Sequence, residues 1–327
     1  QVIKGIKVPA PCIAYARTQA GNKTRLVWGY PLEMTLLESK YARPLISLFK
    51  GISNPMALGL AKPALGGIIE SLKAKRKYIY GLDYSKFDSS IHRRLIKKAF
   101  SILKSWFNRT HETDRHWEII EKYFIYTPIV MPDGHLYSGK NGGVPSGSYF
   151  TQLIDSVVNV ILLGAISSRF NLNLYWRDLL VLGDDSLFVS NTKVELSKIA
   201  DFLKMYGIKL NVLKSHFQTP HFLGAIWRNG LPDLGVEDLA TKAVYPERFR
   251  VYHDLVLDPM SVIYSYAGQY LSAINFISRQ NLSAETTMVS HVGDRYMTGS
   301  DQFQIREGPF SRVFPRIFPG IAERMLS

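Results

Sequence analysis

The sequence predicts an α+β fold on three observations. Short strand-like runs alternate irregularly with helical stretches, unlike the regular succession of a βαβ series. Of the 327 residues, 46% are hydrophobic and 12% aromatic, and a compact chain of that size buries roughly three quarters of its unfolded surface. No internal repeat, low-complexity tract or flexible linker interrupts it. The same composition excludes intrinsic disorder over most of the length.

Residues 1–30 mix β-rich pieces with turns. Over 30–74 apolar residues recur at helical spacing, interrupted by Pro44, Pro55 and Pro63. KYIYGLD at 77–83 has strand character, and Ser89 or Ser90 is placed to cap a helix running to about Phe107. A second helix is predicted over 112–123. It leads into a hairpin-like segment, FIYTPIVMPDGHLYSG, with Asp133-Gly134 as its turn. The glycine-rich loop 142–147 then opens a long helix to about Ser168. LLVLGDDSLFVS reads as two β runs around Gly183-Asp184, 194–206 as a helix, and 208–228 as strands and turns. From Tyr245 onward the pattern is mostly helical until a Pro- and Arg-containing tail.

Forty Lys and Arg against 27 Asp and Glu leave a net charge of +13, a field that attracts polyanions such as nucleic acid. Charge alone decides little, because clusters such as 73–77 and 92–98 equally suit solvated helix faces. The single cysteine, Cys12, excludes a disulfide scaffold and a cysteine-based four-ligand zinc site, and points to a reducing setting. No window approaches the ~18 uninterrupted apolar residues of a membrane span; the most apolar stretch, 157–166, is broken by Asn159 and Gly164. The chain begins without Met and carries no good secretory signal, so we expect its natural start to lie upstream.

Asp83-Tyr-Ser-Lys-Phe-Asp88 closes a predicted strand, and Gly183-Asp184-Asp185 forms a predicted hairpin tip. If the strands are neighbours, carboxylates meet. Two of them about 4 Å apart repel by roughly 4 kcal/mol at an effective dielectric near 20, a large share of the ~5–15 kcal/mol that stabilises a typical fold. A divalent cation reverses that balance. Oxygen ligands that leave room for water and phosphate suit Mg²⁺ or Mn²⁺, and a pair of such ions serves in-line phosphoryl displacement. An acidic turn without function is the alternative, yet chance places GDD in a chain this long only about 0.06 times. Between the two acidic segments, Thr151, Asp155 and Asn159 recur every four residues and form a polar stripe on an otherwise apolar helix, expected to face a polar cavity.

In order, spacing and type these segments resemble the viral RNA-dependent RNA polymerases, most of all the partitivirus and picobirnavirus-like enzymes of double-stranded RNA viruses, over about residues 17–228. The resemblance implies a right-hand polymerase: a palm with an antiparallel sheet and flanking helices, partial fingers and a short helical thumb. It divides the chain into fingers at 1–76, palm at 77–106, a fingers insertion at 107–140, palm again at 141–244 and thumb at 245–327. Asp83, Asp184 and Asp185 then hold two Mg²⁺ or Mn²⁺ ions. Lys23 and Arg25, in KTRLVWGYP, meet the triphosphate, and Asp88, Ser146, Gly147 and Thr151 complete the nucleotide site. Lys214, in YGIKLNVLKS, protonates departing pyrophosphate, and Phe222-Leu223-Gly224 forms the primer grip. Where many families place Asn to read the ribose, eight residues after Gly147, this chain has Asp155, with Asn159 one turn later; either is the candidate.

The implied activity is template-directed RNA synthesis from ribonucleoside triphosphates, replicating and transcribing a viral genome. An acceptor at Asp88, where DNA-making relatives put an aromatic near that place, favours ribose. The implied partners are template and nascent RNA, and a capsid protein, with no membrane; the implied setting is a virion interior or host cytoplasm.

Three rivals fit less well. Gly134-His-Leu-Tyr-Ser-Gly139-Lys140-Asn141 nearly matches a phosphate-binding loop, but Asn141 stands where a hydroxyl should meet Mg²⁺, and Gly142, Gly143 and Pro145 follow where a helix should begin. His111 and His116 are five apart, not the four a zinc-hydrolase helix needs. A non-catalytic RNA-binding protein suits the charge and aromatics but has no use for an acidic cluster. Asn108-Arg-Thr110 and Asn281-Leu-Ser283 match glycosylation acceptors by coincidence.

Overall fold

In the computed structural model the structure describes residues 2, 7–19 and 23–233. A first compact unit spans Gln1–Leu231 and a second Pro232–Ser327, so the helices expected from Tyr245 onward and the thumb at 245–327 lie outside the described residues. The first unit is mixed helix and sheet.

Its central sheet has the strand order β6-β7-β3-β8, built from β3 (Tyr78–Leu82), β6 (Leu179–Leu182), β7 (Asp185–Ser190) and β8 (His216–Phe217). All pairings are antiparallel. Period-two alternation sends neighbouring residues to opposite faces. Tyr80, Leu82, Leu179, Val181 and Phe188 join the larger core against α4 (Arg93–Lys104) and α6 (Thr151–Phe170). Ile79, Leu180, Leu187 and Val189 join a second core with α2 (Lys62–Lys75). Buried on both faces, these strands read as continuous apolar runs. Tyr80 and Phe188 stack across the strand pair at 4.6 Å, worth about 1 kcal/mol beyond the area they bury.

A second sheet, in the order β2-β1-β4-β5, joins segments far apart in sequence. β1 (Cys12–Gln19) and β2 (Lys23–Gly29) form an antiparallel hairpin. The predicted Asp133-Gly134 hairpin, β4 (Ile129–Val130) with β5 (Leu136–Tyr137), docks parallel on β1.

Three local expectations are corrected. Pro44 does not interrupt its helix: α1 runs through it from Leu32 to Gly51, held by the burial of Leu37, Tyr41, Leu45 and Phe49. Pro63 stands in the first turn of α2, where its missing N–H costs nothing. Neither Ser89 nor Ser90 caps α4. They belong to the short α3 (Phe87–Ser90), with hydroxyls donating to the carbonyls of Lys86 and Phe87, and His92 caps α4 by accepting the Arg94 N–H at 3.2 Å. The helix predicted at 112–123 is α5 (His111–Tyr126), started by a Thr110 capping box. By length and composition α6 could cross a membrane, yet Leu153, Ile154, Val158, Leu163 and Ile166 on it are fully buried in the core.

Candidate active site at the end of the central sheet

The β6–β7 register pairs Leu182 with Asp185, leaving Gly183 and Asp184 as the turn. Gly183 has φ +65°, and a Cβ there would lie 2.8 Å from the amide of Gln152. β3 pairs with β7 through Leu82 and Ser186, so the next residue, Asp83, falls beside the turn. Carboxylates a hundred residues apart meet because their strands are neighbours.

The segment 209–215 runs along the other side of Asp83. Asn211 N–H donates to the Asp83 carbonyl at 2.8 Å, Ser85 N–H to that of Lys209 at 2.8 Å, and Asp83 N–H to the Ser215 hydroxyl at 3.1 Å. These bonds bring Lys214 to the same cleft. On the opposite side, Val144 N–H donates to the Asp88 carbonyl at 2.8 Å, which fastens the glycine-rich loop to Asp88. The resulting cleft, of about 1070 Å³, is lined by Arg25, Asp83, Asp88, Ser146, Asp184 and Lys214 among others.

The carboxyls interact. Burial, and then the charge of Asp83, raises Asp184, with Arg25 opposing. Burial pushes Asp185 up to about 7, reinforced by Asp184 and Asp83 and resisted by the N–H of Leu223. Asp88 is raised by burial and by Asp184. Asp155 is raised well above its ordinary value by burial, Asp88 and Asp184, and its Oδ1 is buried without a hydrogen-bond partner. Among the described residues no three His, Cys, Asp or Glu side chains group closely enough to hold a metal ion. Mg²⁺ does not need such a cage: it is typically bound by one or two carboxylates and completes its shell with water and substrate phosphate. An all-oxygen set in which Asp83 raises Asp184 and Asp185, and Asp184 raises Asp185 and Asp88, fits an ion of that kind.

Other expected site residues serve the architecture. Ser146 accepts the Trp28 N–H at 3.3 Å. Gly147 packs so tightly that a Cβ would lie 1.9 Å from the Trp28 carbonyl, so its absent side chain is what lets β2 reach the loop. Thr151 donates to the carbonyls of Pro145 and Ser148 at 2.7 and 2.9 Å. Asn159 is fully buried, with its amide donating to the carbonyls of Gly183 and Asp184, both at 3.0 Å, and its Oδ1 accepting the Tyr84 hydroxyl at 3.2 Å. Both ends of the Asn159 amide are thus engaged, the nitrogen on the hairpin turn and the oxygen on Tyr84. The polar stripe faces the loop and the hairpin backbone, not an open cavity.

Phe222 is fully buried in the second core. The turn it begins, Leu223 and Gly224 with φ +53° and +70°, joins β9 (His221–Phe222) to β10 (Ala225–Arg228), as a two-residue hairpin of type I′ requires. Lys23 lies on β2, and its side chain is outside the described residues. Sequence reasoning missed Ser156, whose hydroxyl accepts the Gly183 N–H at 2.9 Å, along with Tyr84 and Ser215. Ser156 stands one residue off the stripe, and no local pattern marks it.

Over residues 18–244 the chain matches the family described as viral RNA-dependent RNA polymerase. It is 31% identical over 226 residues to the RNA-directed RNA polymerase of Cryptosporidium parvum virus 1, covering 64% of this chain and 42% of that protein. With the RNA-directed RNA polymerase of White clover cryptic virus 1 it shares 25% identity over 214 residues, 56% of this chain and 34% of the relative. The crystal structure of the RNA-dependent RNA polymerase of a human picobirnavirus matches with a TM-score of 0.74 at 18% identity, covering 96% of this chain and 65% of that one. Its insertion-loop deletion mutant gives 0.76, over 94% and 64%. The chain thus spans less than half the length of these curated relatives.

Proposed function

The chain belongs to the viral RNA-dependent RNA polymerase family, and from that premise we propose that it synthesises RNA on an RNA template from ribonucleoside triphosphates. Its fold is that of a right-hand polymerase. One observation carries the reading: Asp83, Asp88 and Asp184, from distant stretches, share a cleft with Arg25 and Lys214. A non-catalytic RNA-binding surface leaves that mutually destabilising acid cluster without a purpose.

In this reading Asp83 and Asp184 hold two divalent ions, Mg²⁺ or Mn²⁺, with Asp185 assisting from its tether to the Leu223 N–H. Ions held there would supply activation of the RNA 3′-hydroxyl and offset charge on the phosphates; the 3′-hydroxyl oxygen attacks the α-phosphate and the bond to pyrophosphate breaks. Arg25 grips the triphosphate in a forked contact and Lys23 adds a point charge. Lys214 gives its proton to the leaving pyrophosphate. Asp88 accepts a hydrogen bond from the ribose 2′-hydroxyl, with Ser146 and Asp155 behind it. The palm comprises 77–106 and 141–244, fingers 1–76 and 107–140, and thumb 245–327; Phe222, Leu223 and Gly224 turn the hairpin that meets the primer strand. Template and nascent RNA follow the basic surface, and a capsid protein and a virion or cytoplasmic setting complete the assignment.

The test is extension of a primed or unprimed RNA template with labelled nucleotides, with and without Mg²⁺. Divalent-dependent, template-complementary product is expected. RNA binding with no incorporation under any divalent ion overturns the assignment.

A further inference from the structure

Glu38, on α1, belongs to none of the acidic, basic or glycine-rich motifs of the cleft and is fully buried. One carboxyl oxygen, Oε2, accepts the Ser148 hydroxyl at 2.6 Å and the Tyr149 N–H at 2.9 Å, both in the loop just after Ser146-Gly147. The other oxygen is buried without a hydrogen bond of ordinary length, the Tyr30 hydroxyl being a longer, weaker donor to the carboxyl. No cation pairs with it among the described residues. Facing it are Tyr30 at the end of β2, Cys12 of β1 and Tyr123 of α5. The ammonium of Lys140, which faces Cys12, is bonded to the carbonyls of Phe124 and Ile125 at 2.6 and 3.2 Å. Burial pushes Glu38 up to about 7 against the donors that face it. A lone buried acid is an expensive choice for an ordinary core position.

Its place explains the choice. The loop is held on one side by β2, through the Trp28 N–H to Ser146 and the close approach of Gly147 to the Trp28 carbonyl. Glu38 holds the next two residues from α1. The strand that carries Arg25 and the loop that carries Ser146 are therefore locked in one register, and those two side chains line the same cleft.

We propose that Glu38 is a positioning residue for nucleotide binding, clamping the Ser146-Gly147 loop against the Arg25 strand so that both ends of an incoming nucleotide meet preset groups. The proposal rests on the polymerase reading for its substrate, whereas the clamp itself does not. Glu38 touches no substrate and acts through Ser148 and Tyr149.

Two measurements on the full chain separate these parts. In Glu38→Ala, amide hydrogen exchange in the peptide covering 146–150 rises about tenfold and the nucleotide KM rises about tenfold, as expected for loss of roughly 1.4 kcal/mol of hydrogen bonding, with kcat changed less than twofold. Glu38→Gln keeps an acceptor of the same shape and restores both to within about threefold of wild type. Should Glu38→Ala not fold, Ser148→Ala removes one of the two donors and raises both quantities by about threefold. Unchanged loop exchange in the folded Ala variants overturns the clamp. A loss confined to kcat, or faster exchange with an unchanged KM, overturns the role in nucleotide binding. If exchange responds as expected while the wild-type chain incorporates no nucleotide, the clamp stands and the polymerase reading falls.

Discussion

Asp178 and Asp184 flank the same strand, β6, and their charges are balanced in opposite ways. Asp178 is fully buried, bonded to Lys75 at 2.5 Å and Arg76 at 3.2 Å, and accepts the Tyr175 N–H at 3.0 Å. Burial raises its carboxyl, but the Lys75 bond, the Tyr175 N–H and both cations outweigh it and hold the group below the ordinary range. Asp184 also feels burial first, yet its carboxylate neighbour Asp83 raises it further, and among the described residues Arg25 is the cation that opposes. At Asp178 the chain brings its own cations to a buried acid. At the other end of the strand no ion pair is made to Asp184 among the described residues, which leaves a site suited to an external cation.

Four experiments break or sharpen that contrast. Asp184→Asn should lower nucleotide incorporation by at least about a thousandfold, the loss of roughly 4 kcal/mol of transition-state stabilisation, without loss of folded structure by circular dichroism. Retained turnover would remove Asp184 from the metal assignment. Asp178→Ala should do the reverse: incorporation per folded molecule unchanged, with stability in urea lower by about 2 kcal/mol, because Lys75 and Arg76 lose a buried partner but are exposed enough to recover water. Asp88→Ala should lower the preference for ribose over deoxyribose nucleotides by about tenfold, measured by competition; an unchanged ratio takes the 2′-hydroxyl contact away from it.

The smallest effect is in pH and metal. Asp184, Asp185 and Asp88 have raised carboxyls, so the folded chain binds their protons more tightly than the unfolded one. Their contribution is present at low pH and is lost as pH rises above the ordinary carboxylate range near 4, for Asp185 through about 7. Asp178 has the opposite sign: its contribution is complete above about pH 4 and is lost below. Thermal melts without divalent ions should therefore weaken between pH 4 and 7, and Mg²⁺ at about ten times its Kd should recover about 1.4 kcal/mol at pH 8. A melt indifferent to Mg²⁺ at that pH would mean the cluster holds no ion.

Much of the site was legible because its chemistry is local. GDD between two apolar runs, and an acidic segment at a strand end, can be read without knowing the contacts. Asn159 shows the limit: spacing puts it on the stripe with Asp155, and only the helix's position against the β6–β7 turn turns it into a brace for Gly183 and Asp184. Glu38 shows a deeper one. Nothing around it in LEMTLLESK marks it as different from a solvated helical acid, because its partners lie 110 and 111 residues away. Pro44 misled for a related reason, since burial along α1 outweighed the hydrogen bond a proline removes.

By itself the amino-acid order determined where most strands and helices of the central sheet's neighbourhood lie, which residues of that sheet are apolar, and that acids end two of its strands, because propensity, alternation and turn chemistry act over a few neighbours. Tertiary structure alone decided which distant acids are partnered. Lys75 and Arg76 reach Asp178 and not Asp184, and Ser148 and Tyr149 reach Glu38, because burial, close approach and charge balance depend on what the folded chain brings within a few ångströms.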